Sequence, residues 1–210
     1  YFIDVNTGYI GADSGKVLKT TNGGANWFIS NTNINRAIYS VLFVNAVTGF
    51  ASTDNKVLKT TNAGLNWDTT INGGGHSISF INSTTGYSAK RFYSFGLWKT
   101  TNSGTTWDSV SFIFTTNSVW KIFFVNESVG YAAGSFWTMS FGGLYQAIIW
   151  KSTNSGFNWN GSFSSVVSGS YAAMKNLYFV NTSVGYSVGF QGDQTLPYFY
   201  KTSNSGVNWT

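Results

Sequence analysis

One nonapeptide decides the fold: KTTNGGANW at residues 19–27, KTTNAGLNW at 59–67, KTTNSGTTW at 99–107, KSTNSGFNW at 151–159 and KTSNSGVNW at 201–209. Its closing residues, Trp27, Trp67, Trp107, Trp159 and Trp209, lie 40, 40, 52 and 50 positions apart. A second motif, Phe-[Val/Ile]-[Asn/Asp]-x-x-x-Gly-[Tyr/Phe], precedes each copy and starts at Phe2, Phe43, Phe80, Phe124 and Phe179. Two motifs in register mark an internal repeat. The second unit reads as four short strands. Strand A is 37–44, strand B is 50–52 after an Asn-x-x-x-Gly turn, strand C is 56–60, and strand D falls at Trp67. In the C–D turn, Thr60 and Asn62 are placed to bond backbone amides, as are Asn22, Asn102, Asn154 and Asn204 in the other copies. Gly64 suits a positive φ, and Trp67 is a large apolar plug whose indole N–H needs one partner. Four strands per repeat predict an all-β propeller of five four-stranded blades, or a five-blade window of a longer propeller. A single propeller then fills 1–210, with repeats at approximately 1–27, 28–67, 68–107, 108–159 and 160–209.

Composition agrees. Of 210 residues, 19% are aromatic and only 9% charged, which excludes disorder. Twenty-four glycines and one proline fit many tight turns. No run reaches the ~18 apolar residues of a membrane helix. The absence of cysteine removes disulfides and thiolate metal sites, and the single histidine, His76, argues against zinc or copper. No metal or other cofactor is expected. The net charge of +5 comes largely from one lysine recurring at one repeat position (19, 59, 99, 151 and 201), so nucleic acid is not an expected partner. Low charge with abundant Asn, Thr and Ser suits a secreted or cell-envelope protein.

The Thr-x-Asn-x-Gly-x-x-Trp core resembles the Asp-box (BNR) repeat, Ser-x-Asp-x-Gly-x-Thr-Trp, with Asn replacing Asp in all five copies. The longer pattern over 8–27 is similar to the photosystem II stability/assembly factor-like family, many of whose relatives are secreted bacterial proteins. The resemblance covers essentially the whole chain. It implies a propeller serving as a scaffold for protein assembly, although Asp-boxes also occur in sialidases and sorting receptors. An arginine-rich patch associated with that family cannot be built from Arg36 and Arg91 alone.

Length variation separates the two ends of each blade. The A–B and C–D turns keep one length in all five units. From the A–B glycine to the strand-C lysine the separations are 11, 10, 13, 21 and 16, and from each Trp to the next motif Phe they are 16, 13, 17 and 20. All insertion therefore falls on the B–C and D–A connections, where a scaffold displays binding loops. Candidates for contacting a protein partner or a glycan there are Arg91, Phe92, Tyr93, Phe136, Trp137, Phe141, Tyr145 and Tyr198. The plainer alternative is that these aromatics extend strands B and C and pack between blades. The recurring lysine is read as structural, with its stem over apolar surface or its ammonium over a Trp. Asp13, Asp54, Asp68 and Asp108 are read as turn or edge residues, and His76 as an exposed loop histidine.

Catalysis is not expected. A sialidase clamps its substrate with three arginines, and this chain has two. Its only glutamate, Glu127, lies in an A–B turn, and paired carboxylates across a cleft are missing. The partner is expected to be another protein or copies of this one. A carbohydrate-binding module is the alternative.

Overall fold

The computed structural model describes residues 1–72, 75–90, 97–110, 117–138, 144–164, 172–191 and 196–210. Its strands form five antiparallel sheets, and no helix occurs among the described residues. The first sheet holds β1 (Gly8–Gly11), β2 (Lys16–Thr20) and β3 (Phe28–Asn31). The second holds β4 (Ser40–Phe43), β5 (Gly49–Ser52), β6 (Lys56–Thr60) and β7 (Asp68–Asn72). The third is β8 (Ser77–Phe80), β9 (Gly86–Ala89), β10 (Leu97–Thr100) and β11 (Asp108–Val110). The fourth is β12 (Asn117–Phe124), β13 (Gly130–Thr138), β14 (Leu144–Ser152) and β15 (Asn160–Ser164). The fifth is β16 (Ala172–Phe179), β17 (Gly185–Gln191) and β18 (Leu196–Thr202). The first and fifth sheets carry a fragment of a fourth strand: Phe2 bridges Gly8, and Thr210 exchanges two backbone hydrogen bonds with Lys201. This is the all-β propeller class.

The strand bounds of the second unit differ from the sequence reading. Strand A is Ser40–Phe43 rather than 37–44, strand B starts at Gly49 rather than 50, and strand D starts at Asp68, one residue past Trp67. The turn runs longer because Asn62 Oδ1 still accepts the Asn66 N–H, leaving Lys59↔Asp68 as the closing pair.

The chain divides into two compact units, residues 1–90 with 98–109, and residues 91–97 with 110–210. Each has its own core. In the first, Tyr9, Ile38, Phe43, Leu58 and Trp67 form one cluster, and Phe50, Val57 and Ile78 another. In the second, Tyr131, Ile149, Met174, Phe179 and Trp209 pack together.

Both turns repeat atom for atom. In every A–B turn the Asn or Asp carboxamide or carboxylate oxygen accepts two backbone amides, as Asn45 does from Val47 (3.0 Å) and Thr48 (2.7 Å). At Asp4 the same two bonds hold its carboxyl below the usual range. In every C–D turn a buried hydroxyl accepts from the glycine amide and donates to the Asn oxygen; Thr60 does so at 2.9 Å each. The two turns are tied across each blade by one backbone bond, such as Ala63 N–H to Val47 O at 2.8 Å. The A–B and C–D turns therefore share one end of each blade.

Candidate functional site

The turn end is occupied by structure. Each motif Phe lies flat over the glycine six residues on, with its ring 2.6–2.8 Å from where a Cβ would sit on Gly8, Gly49, Gly86, Gly130 or Gly185. Each motif Trp meets that Phe edge-on, at centroid distances of 5.9–6.2 Å in all five blades. Trp67, Trp159 and Trp209 are buried, while Trp27 and Trp107 are half-buried. The aromatic residue after the glycine then stacks on the Phe of the next blade: Tyr9 on Phe43 (3.9 Å), Phe50 on Phe80 (4.3 Å) and Tyr131 on Phe179 (4.0 Å).

The recurring lysine joins this relay, but not over a Trp as the sequence reading allowed. Lys19, Lys59, Lys99, Lys151 and Lys201 each place Nζ 5.4–6.0 Å from the ring of the Tyr or Phe in strand B. Cross-strand register causes this, since Tyr9 pairs with Lys19 and Tyr131 with Lys151. In the first unit the Tyr9 hydroxyl (3.0 Å) and Lys19 Nζ (2.9 Å) both donate to the Ala63 carbonyl of the next turn. In the second, Tyr131 and Lys151 both donate to Ser205 O at 2.7 Å. Ser30 and Ser162 also bridge blades, donating to Gly64 O and Gly206 O and accepting from the indoles of Trp67 and Trp209. Thr70 takes the equivalent place but donates to Val57 O, and the Trp107 indole N–H has no partner among the described residues.

The candidate binding residues that the structure describes fall at the opposite end of the fourth and fifth blades. Arg91, Phe92, Tyr93 and Phe141 lie outside the described residues. Phe136 and Trp137 are in β13 and Tyr145 in β14, so the fourth unit's insertion extends two strands to nine residues each. Trp137 pairs across the ladder with Tyr145, which is 38% exposed, and Phe136 pairs with Gln146. Tyr198 is in β18, donates to Gln191 Oε1 and packs on the second unit's core. Burial, then the neighbouring Tyr200, raises its pKa. The structure brings Phe136, Trp137 and Tyr145 onto one hairpin and sets Tyr198 on the next blade.

His76 is not an exposed loop residue. It is half-buried, with its imidazole 3.7 Å from the Tyr39 ring. Asp54 pairs with Arg36 at 2.6 Å on the surface. A contact that sequence reasoning missed lies in the second unit, where Lys175 Nζ sits 3.3 Å from the centroid of Trp120 and 4.7 Å from that of Phe190. Alignment of the repeats would have exposed it, because Trp120 and Lys175 both stand four residues before their motif Phe. Among the described residues no group of three or more His, Cys, Asp or Glu side chains converges.

No family model matches this chain, and no curated protein matches it. Solved structures do. A xyloglucanase of glycoside hydrolase family 74 from Xanthomonas campestris superposes with a TM-score of 0.80 at 12% identity, over 99% of this chain and 36% of its own. YCF48 bound to D1 peptide gives 0.54 at 15% identity, over 100% of this chain and 79% of its own. The extracellular domain of the one-component system BT4673 from B. thetaiotaomicron gives 0.61 at 13%, over 98% and 27%. The likeness is one of propeller fold. This chain spans about a third of the length of the hydrolase.

Proposed function

We propose that this chain is a non-enzymatic propeller of a secreted or cell-envelope protein, holding a protein partner or further copies of itself at the end of its blades opposite the Asn-Gly turns. The observation that carries this reading is the division of labour between the two ends. The turn end spends its side chains on blade-to-blade bonds. The other end extends strands β13 and β14 to present Trp137 and Tyr145, and such aromatic anchors are typical of protein interfaces. A propeller of this fold solved with a peptide, YCF48, adds support, as does an extracellular domain of the same fold. The Thr-x-Asn-x-Gly turn serves as a neutral version of the Asp-box. The alternative, glycan binding, is favoured by the ladder pairing of Trp137 with Tyr145, two residues whose rings are of the kind that stack on sugars. Probing peptide and glycan arrays side by side with labelled protein tests the choice. Saturable binding to peptides with blank glycans is expected; saturable glycan binding with blank peptides would reverse it.

A further inference from the structure

Aligned on the motif Phe, the position four residues earlier carries Tyr39, His76, Trp120 and Lys175. In the second unit two of these come together by a specific device. The β12–β13 ladder steps from Val119↔Gly134 to Lys121↔Ala133, and the β16–β17 ladder from Met174↔Gly189 to Asn176↔Val188. Trp120 and Lys175 are thus the extra residues of two β-bulges at equivalent places. A bulge interrupts a ladder and re-aims a side chain, and it recurs beside working sites. The partner strands make room for both bulges with glycine. A Cβ on Gly134 would lie 2.0 Å from Ser118 O, and one on Gly189 would lie 2.3 Å from Ala173 O.

The bulges bring the Lys175 ammonium between the rings of Trp120 and Phe190. Lys121, which follows Trp120 in the chain, is half-buried and makes no hydrogen bond or ion pair with the described residues. Burial lowers its pKa, and an arriving anion would favour its charged form. β12 and β16 are also the first strands of their sheets, and edge strands offer backbone groups that match a peptide main chain but not a sugar.

We propose that Trp120 and Lys175, backed by the buried Phe190 and joined by Lys121, the chain neighbour of Trp120, form a binding site for an acidic peptide segment, with its carboxylates on the lysines and apolar atoms against the accessible part of the Trp120 ring. The proposal rests on the protein-binding reading above and adds the chemistry of the partner.

Fluorescence anisotropy of fluorescein-labelled hexaglutamate tests it on the whole chain. The parent should bind, with affinity falling as salt rises. Lys175→Gln and Lys121→Gln should each weaken binding about ten-fold, a change of about 1.4 kcal/mol, and Lys175→Arg should restore most of it. Lys121→Gln removes no described contact, so it keeps the test open if Lys175→Gln fails to fold. Absence of hexaglutamate binding by the parent, undiminished binding by folded Lys121→Gln, or binding of hexagalacturonate in place of hexaglutamate would overturn the site. Any of these beside positive peptide spots would leave the protein-binding reading standing; a blank peptide array would remove that reading itself.

Discussion

Five glycines after the A–B turns are required by the ring above them rather than by their torsions. None of Gly8, Gly49, Gly86, Gly130 and Gly185 has a positive φ, yet each would drive a Cβ into its own motif Phe. Gly49→Ala should therefore cost about 1–3 kcal/mol, as overpacking does, measured by urea denaturation. Left-handed residues lie elsewhere, most of them in the C–D turns, where Ala63, Ser103, Ser155 and Ser205 adopt that conformation without being glycine. Ala63→Gly should stabilise by about 0.5–1 kcal/mol, since the strain relieved exceeds the entropy glycine adds. A pH effect belongs at this scale too. Burial pushes the phenols of Tyr87 and Tyr131 from 10.0 up to about 12. The folded state holds these protons more tightly than the unfolded chain. Their contribution is complete below about pH 10 and is lost as pH rises through about 12. Thermal melts across that window should show Tm steady and then falling, in step with phenolate absorbance. At this scale the motif letters were legible, but their reasons were not. Phe and Gly recur six apart because they face each other across a ladder, and that pairing exists only once the strands are aligned.

Between blades, the unit of cohesion is a relay: strand-B ring, next motif Phe, next motif Trp. Trp67 is 6% exposed and is bonded through Ser30. Trp67→Ala should cost roughly 3–5 kcal/mol as a large core truncation, and a loss below about 1 kcal/mol in denaturant melts would show that it is no plug. Tyr9→Phe should cost no more than about 1 kcal/mol, because Phe50 fills the equivalent place with no hydroxyl. Strand C of the second unit was legible to the residue, since Lys56–Thr60 runs straight into the repeated turn. The insertions were harder. Of their two readings, binding loops or longer strands B and C, the second holds in large part for the fourth and fifth units, where Trp137 and Thr138 find Tyr145 and Leu144 as ladder partners. The two bulges were invisible, because one unpaired residue leaves no mark in a hydrophobic pattern.

For the molecule as a whole, the fold was fully legible and the function only in outline. Repeats declare a propeller because five equivalent turns need five equivalent sequences. A binding surface has no such redundancy: the position that carries Trp120 and Lys175 in the last two units carries Tyr39 and His76 in earlier ones. The turn end of each blade is given over to structure, and the proposed protein binding falls to the opposite end. Shortening 134–146 to the length of the second unit's B–C connection tests it most directly, with the shortened protein compared with its parent on the same peptide array. The account predicts a chain that still melts cooperatively while the parent's peptide signals fade. A folded, shortened chain that binds the same peptides as strongly as its parent would contradict it.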